Sequence, residues 1–192
     1  MSNPKLLLAT ESPYKVRLLN RLKVPFRAEA SLVDESSIKG ETPIQLTKRL
    51  AYAKATKLFK QYPNYTILAT DQNAGIGHQI LQKPKTIDRA VKMLTKMADQ
   101  SIVFYTSIAL IQSGIAKSHT EEVTVHVRPL TKREIISYVT EDRPLDCVGS
   151  FKIESLGISL FKSIDSRDPT ALEGLPLIKV SYWLREIGLM KP

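Results

Sequence analysis

The chain has 192 residues, 43% of them hydrophobic, which is enough for one core or for a core pinched into two lobes. Its 28 Lys and Arg against 19 Asp and Glu give a net charge of +9 and favour an anionic partner: a nucleotide, a nucleic acid or an acidic surface. No run of 18 apolar residues suggests a membrane span, and the lone Cys147 excludes an intramolecular disulfide or a cysteine-built zinc site. The apolar run of MSNPKLLLA is too short for a signal peptide, so a cytoplasmic protein is expected. The surplus of positive charge is concentrated in residues 1–60, which hold 12 bases and 5 acids.

No linker, repeat or block of like charge divides the chain, and residues 1–192 read as a single domain. Lys5 to Ala9 predicts a short strand. It runs into a helix with Ser12 at the N-cap and Pro13 in first position, Leu18, Leu19 and Leu22 on one face, and an end before Pro25. Thr42-Pro43 repeats that start signal for a helix to about Lys60. A strand follows at Thr66–Thr70, breaking off at Asp71, and then a hairpin turning at Gly75 to Gly77 and closed by Pro84. Thr86 caps a third helix with Ala90, Met93, Leu94 and Met97 inward. Residues 102–112 and 121–128 read as paired strands about the turn at Ser113-Gly114. TKRE at 131–134 is a capping box for a fourth helix ending before Pro144. Two short strands are expected to flank Gly157. A last helix starts at Pro176, with Leu177, Val180, Leu184 and Ile187 inward and Gly188 as its C′ residue. The alternation is that of an α/β fold with a mixed sheet.

Four features bear on chemistry. The strand–loop–helix LLLATESPYKVRLL presents unpaired backbone N–H groups at a helix start, with Lys15 and Arg17 adding charge, an arrangement that attracts phosphate. A plain cap is the commoner use of Ser-Pro. Lys54 falls within the apolar stripe of its helix, between Leu50 and Leu58, where a lysine must snorkel or meet an anion. Asp34, Glu35 and Glu41 cluster in a polar loop, and Asp71 is expected at a strand end, where open α/β sheets gather ligands. There Asp71 holds a divalent metal, orients a water, or merely caps a turn. Walker A, G-x-G-x-x-G and H-E-x-x-H motifs are lacking, His78, His119 and His126 are scattered, and Ser12 has no His/Asp pattern to activate it.

LATESPYKVRLL resembles the L-A-S-x-S-P-R-R-x-x-L-L opening of the Maf family of nucleotide pyrophosphatases. VDE at 33–35, ETP at 41–43 with RLAYAKA at 49–55, ILATDQ, LQKP at 81–84, FYTSIAL at 104–110, PLDCVGSFKIESLG at 144–157 and DPTALEGLPL at 168–177 follow in family order over nearly the whole chain. The resemblance implies an elongated mixed sheet flanked by helices, with two lobes around a cleft, of the Maf and ITPase kind. It also implies cleavage of a nucleoside triphosphate between the α- and β-phosphates with a divalent metal cation (Mg, Mn or Co).

By the same resemblance, Asp71 takes the place of the catalytic base, and Glu35 joins it as a metal ligand. Tyr14, Gln72 and Glu154 occupy specificity positions and match the branch that hydrolyses 7-methyl-GTP rather than the one that hydrolyses dTTP and UTP. Ser12, Lys15, Lys54 and Lys83 match positions around the triphosphate. Lys15 stands where the family has Arg, keeping charge but losing bidentate geometry. Gln82 replaces a Gly, and Asn73-Ala74 replace apolar residues. The expected partner is a small nucleoside triphosphate, with no membrane and with a homodimer left open. A nucleic-acid-binding module is the rival reading of the charge, but the aromatics do not interleave with the basic residues as a stacking platform requires.

Overall fold

The computed structural model describes residues 5–77 and 79–191; His78 lies outside them. Strand β1 (Lys5–Ala9) leads to helix α1 (Pro13–Asn20), β2 (Phe26–Glu29) and α2 (Pro43–Gln61). The long strand β3 (Tyr65–Ile76), the short β4 (Gln79–Leu81) and α3 (Ile87–Met97) follow. A hairpin of β5 (Ser101–Gln112) and β6 (Ile115–Val127), then α4 (Lys132–Asp142), β7 (Phe161–Ser166) and α5 (Leu177–Glu186), complete the described elements.

Local signals set most helix starts. At α2 and α4 a full capping box forms: the N–H of Thr42 donates to Gln45 Oε1 at 2.9 Å and that of Thr131 to Glu134 Oε2 at 2.8 Å. Each cap satisfies donors that the helix itself cannot, a contribution of about 1 kcal/mol. Ser12 is at the N-cap of α1, but its side chain makes no capping hydrogen bond. The first-turn N–H groups of α1 are thereby left to an outside acceptor.

Two expectations are corrected and one element is added. β3 does not break off at Asp71; it continues to Ile76, so Asp71 lies in mid-strand. Instead of two strands flanking Gly157, 3-10 turns occupy Leu156–Leu160 and β7 alone follows. A Cβ at Gly157 would come within 2.3 Å of the Lys152 carbonyl oxygen, so the chain doubles back there too tightly for a strand. Finally, β2 forms a parallel edge strand that the sequence does not announce.

The strands make one seven-stranded mixed sheet in the order β2-β1-β3-β5-β6-β7, with β4 on β3. The pleat sorts alternate residues to two faces. Leu7, Ala9, Ile67, Ala69, Ala109 and Ile111 pack on Ala51, Ala55 and Leu58 of α2. Leu6, Leu8, Leu68, Ile108 and Leu110 pack on Leu18 and Leu19 of α1 and on Val180, Trp183 and Leu184 of α5. Farther along the same long strands, Ala74, Ile102, Phe104, Val123 and Val125 join α3 and α4 in a separate core. Two lobes therefore share the strands β3, β5 and β6.

The pairing of β3 opens the cleft between these lobes. On one edge β1 accompanies β3 only as far as Ala9 opposite Ala69, and β4 takes over at Leu81 opposite Ala74. Thr70 to Asn73 lack a strand neighbour there, while β5 pairs them on the other edge. Asp71 is thus beside the carboxyl end of β1, although not at the end of its own strand.

Candidate active site

Strand parity sends Asp71 to the α2 face, together with Ile67 and Ala69. Two polar residues of α2, seven apart and so on one helix face, meet it. Lys54 Nζ donates to Asp71 Oδ1 at 2.6 Å and Thr47 Oγ1 to Oδ2 at 3.3 Å. Asn73 Nδ2 adds a third donor to Oδ2, at 2.8 Å. Asp71 is only 5% exposed, so these donors hold a buried carboxylate in one orientation.

Glu35, from the loop between β2 and α2, reaches the same lysine at 2.7 Å. Lys54 Nζ therefore bridges two carboxylates. Burial acts to lower the Lys54 pKa, but Asp71 and Glu35 outweigh it and hold it above the ordinary value. Glu35 is pushed up by burial and pulled down more strongly by Lys54, Lys83 and Lys15, ending below the usual carboxylate range. The other acids of its loop lie elsewhere: Glu41 pairs with Arg49 at 2.7 Å, and Asp34 accepts from the N–H of Ser36.

Lys15, on the first turn of α1, donates to the carbonyl of Thr70 at 3.2 Å. Its stem lies against Gly174, a residue at φ +106 whose missing Cβ would meet Lys15 Cε at 3.2 Å. Burial pushes the Lys15 pKa down to about 8; Asp71 opposes the shift, while Lys54 and Lys83 add to it. Lys15 therefore carries its charge below pH 8 and loses it above. Binding of inorganic triphosphate, read as its Kd, is expected to weaken about tenfold as pH rises through that value, the worth of one charge-assisted contact. Lys15→Arg, which cannot titrate there, is expected to abolish that pH dependence.

These groups line a cavity of about 880 Å³. Tyr14, Asp146, Cys147, Glu154 and Glu173 line the same cavity. The Tyr14 hydroxyl is pushed up to about 12 by burial and by Cys147, Asp146 and Glu154. Cys147 is itself pushed up to about 12, chiefly by burial, and so remains a thiol. The turn carrying Glu154 is fastened to α4: the N–H of Lys152 donates to Tyr138 Oη at 2.9 Å, Lys152 Nζ to the Asp142 carbonyl at 2.7 Å, and Ser155 Oγ to Asp142 Oδ1 at 2.6 Å.

Ser12, Tyr14, Lys15, Glu35, Lys54, Asp71, Gln72, Lys83 and Glu154 all line this cavity, so the structure brings together the positions that the family resemblance assigned to the site, whereas Arg17, Asp34 and Glu41 do not line it. Gln72 differs from the others in direction. Its amide crosses to the opposite face of β3 from Asp71 and donates to the carbonyls of Ala171 and Leu172. His119 and His126 lie outside the cavity lining, bonded to Glu121 at 2.8 Å and to Ser101 and Asp165 at 2.8 and 2.9 Å. Thr47, Asn73, Asp146 and Glu173 were not anticipated. Thr47 alone had a readable signal, a polar residue seven positions before Lys54 in the same apolar stripe.

A mixed α/β sheet split by a crevice, with one oriented carboxylate among lysines, defines an enzyme of the kind that works on phosphorylated substrates. The chain belongs to the Maf family: residues 5–187 match the family model for Maf-like protein. It is 44% identical to the 7-methyl-GTP pyrophosphatase of Pseudomonas syringae pv. tomato, over 98% of this chain and 100% of that protein. It is 43% identical to the 7-methyl-GTP pyrophosphatase of Albidiferax ferrireducens, over 98% of each, and 42% to that of Pseudomonas aeruginosa, over 98% and 100%. Among solved structures, the Ham1 protein of Staphylococcus aureus matches with a TM-score of 0.50 at 13% identity, covering 95% of this chain and 99% of that one, a likeness of fold.

Proposed function

We propose that this protein is a cytoplasmic, metal-dependent pyrophosphatase that converts 7-methyl-GTP to 7-methyl-GMP and diphosphate, removing a modified nucleotide. The observation that carries the reading is the grouping of charge along the cavity. Lys15, Lys54 and Lys83 act together about Asp71 and Glu35, while Asp146 and Glu154 act on Tyr14, whose ring already carries the Arg17 guanidinium at 5.9 Å. Such a site suits a ligand with an anionic tail and a cationic head, as in a triphosphate on a 7-methylated, positively charged guanine. The names of the full-length relatives point the same way.

The residues divide the work as follows. Asp71 orients a water and accepts its proton as the water oxygen bonds to phosphorus and the bridge between the α- and β-phosphates breaks. Lys15, Lys54, Lys83 and the first turn of α1 bind the phosphates and stabilise charge on the departing diphosphate. Tyr14 stacks on the base, and Glu154 accepts hydrogen bonds from its edge.

Asp71 and Glu35 would hold the divalent cation. Their oxygens suit a hard metal, and both carboxylates converge on Lys54 Nζ, at 2.6 and 2.7 Å. Among the described residues no group of three or more His, Cys, Asp and Glu side chains could hold a metal, so substrate phosphates would have to complete the coordination. When bound, the ion offsets triphosphate charge and polarises the phosphoryl oxygens.

A panel of 7-methyl-GTP, GTP, UTP and dTTP, each with Mg, Mn and Co, tests the reading through diphosphate release. Preferential turnover of 7-methyl-GTP is expected. Near-equal turnover of UTP and dTTP would instead make the chain a pyrimidine-nucleotide pyrophosphatase.

A further inference from the structure

The turn Ala171–Glu173 enters the cavity from the side opposite α2, and the strand beneath fastens it tightly. Gln72 Nε2 donates to the Ala171 and Leu172 carbonyls at 2.9 and 3.0 Å, Thr106 Oγ1 to the Ala171 carbonyl at 2.8 Å, and Thr70 Oγ1 to the Gly174 carbonyl at 2.8 Å. Three successive strand-side anchors leave little freedom to the one charged residue they surround. The Glu173 side chain is 28% exposed, and its ion-pair partner Arg21 stands 3.7 Å away and is itself 58% exposed, with Arg17 a second, weaker cation nearby.

We propose that Glu173 is a specificity-determining residue, its carboxylate selecting a cationic base ring over a neutral one, and that Gln72 acts on specificity by holding the turn that carries it. The inference rests on the 7-methyl-GTP reading above and adds a residue to it. Burial pushes Glu173 above its ordinary range, with a smaller push from Glu154, while Arg21 and Arg17 pull it down. A fixed positive charge on the bound base adds a partner for this half-buried carboxylate, whereas a neutral guanine does not. Gln72 spends both amide hydrogens on the turn and on Thr106 Oγ1, 3.0 Å away, so its amide donors are not offered to a base. It is a positioning residue.

The test is the ratio of kcat/KM for 7-methyl-GTP to that for GTP, measured in the wild type, Glu173→Gln, Glu173→Asp, Gln72→Met and the double variant Gln72→Met/Glu173→Gln. Glu173→Gln is expected to lower the ratio about five- to tenfold, mainly through KM for 7-methyl-GTP, with Glu173→Asp retaining part of it. Gln72→Met is expected to lower it similarly, and the double variant no further than the larger single change, as for residues acting in series. A wild type that prefers 7-methyl-GTP while Glu173→Gln keeps that preference overturns the assignment of Glu173. Effects of Gln72→Met and Glu173→Gln that multiply independently overturn the positioning role. A wild type with no turnover of 7-methyl-GTP defeats the underlying reading and this inference with it.

Discussion

Asp71→Asn is expected to lower diphosphate release by between about a hundredfold and ten-thousandfold at saturating metal and substrate, the usual contribution of a positioned base. The substitution is nearly isosteric. Its remaining oxygen can still accept from Thr47 or Lys54, which now reach Asp71 at 3.3 and 2.6 Å, so the folded state should persist by circular dichroism. On the mechanism proposed above, what is lost is the acceptor for the proton of the attacking water and one anionic ligand for the metal. Because Asp71 is 5% exposed, bulk water cannot easily replace it. A variant that kept full release would remove Asp71 from the chemistry.

Lys54→Met is expected to cost both stability and rate. The two side chains of the Lys54–Asp71 pair are 9% and 8% exposed, and breaking a buried pair by removing one partner typically costs about 3–5 kcal/mol because the other charge is left uncompensated. The Glu35 contact adds little, since that side chain is 58% exposed. Turnover should also fall about a hundredfold or more, as when one preorganised donor to a developing anion is removed. Denaturant unfolding and diphosphate release measure the two effects separately. A variant as stable as the parent would mean that packing of the lysine stem, rather than Asp71, accounts for its burial.

How far these groups could be read beforehand depended on the range of the interactions involved. Caps are local, so Thr42 with Gln45 and Thr131 with Glu134 announced their helices. Lys54 was legible because helical periodicity is local too: a charge in an apolar stripe needs a partner. Strand β2 was not legible. FRAE has no alternation, and it is a strand only because β1 offers it a parallel edge. The site of Asp71 was anticipated for a reason that needed correction. The apolar run does stop there, but the strand continues through Gln72-Asn73-Ala74-Gly75, and the crevice exists because a neighbouring strand ends at Ala9. The period of two in a strand implies that Asp71 and Gln72 point to opposite faces, yet the carbonyls that receive Gln72 come from a turn about a hundred residues later. Asp146 and Glu173 are single acids in loops, without a pattern of their own. The fold joined them to Glu154.

The central claim, that this crevice cuts a polyphosphate between its first and second phosphates, is tested most directly by following 7-methyl-GTP turnover with the metal-loaded wild-type protein by phosphorus NMR. Resonances of 7-methyl-GMP and diphosphate should grow in equal amounts as the triphosphate disappears. Growth of 7-methyl-GDP and inorganic phosphate instead, or an unchanged triphosphate spectrum, would contradict the account.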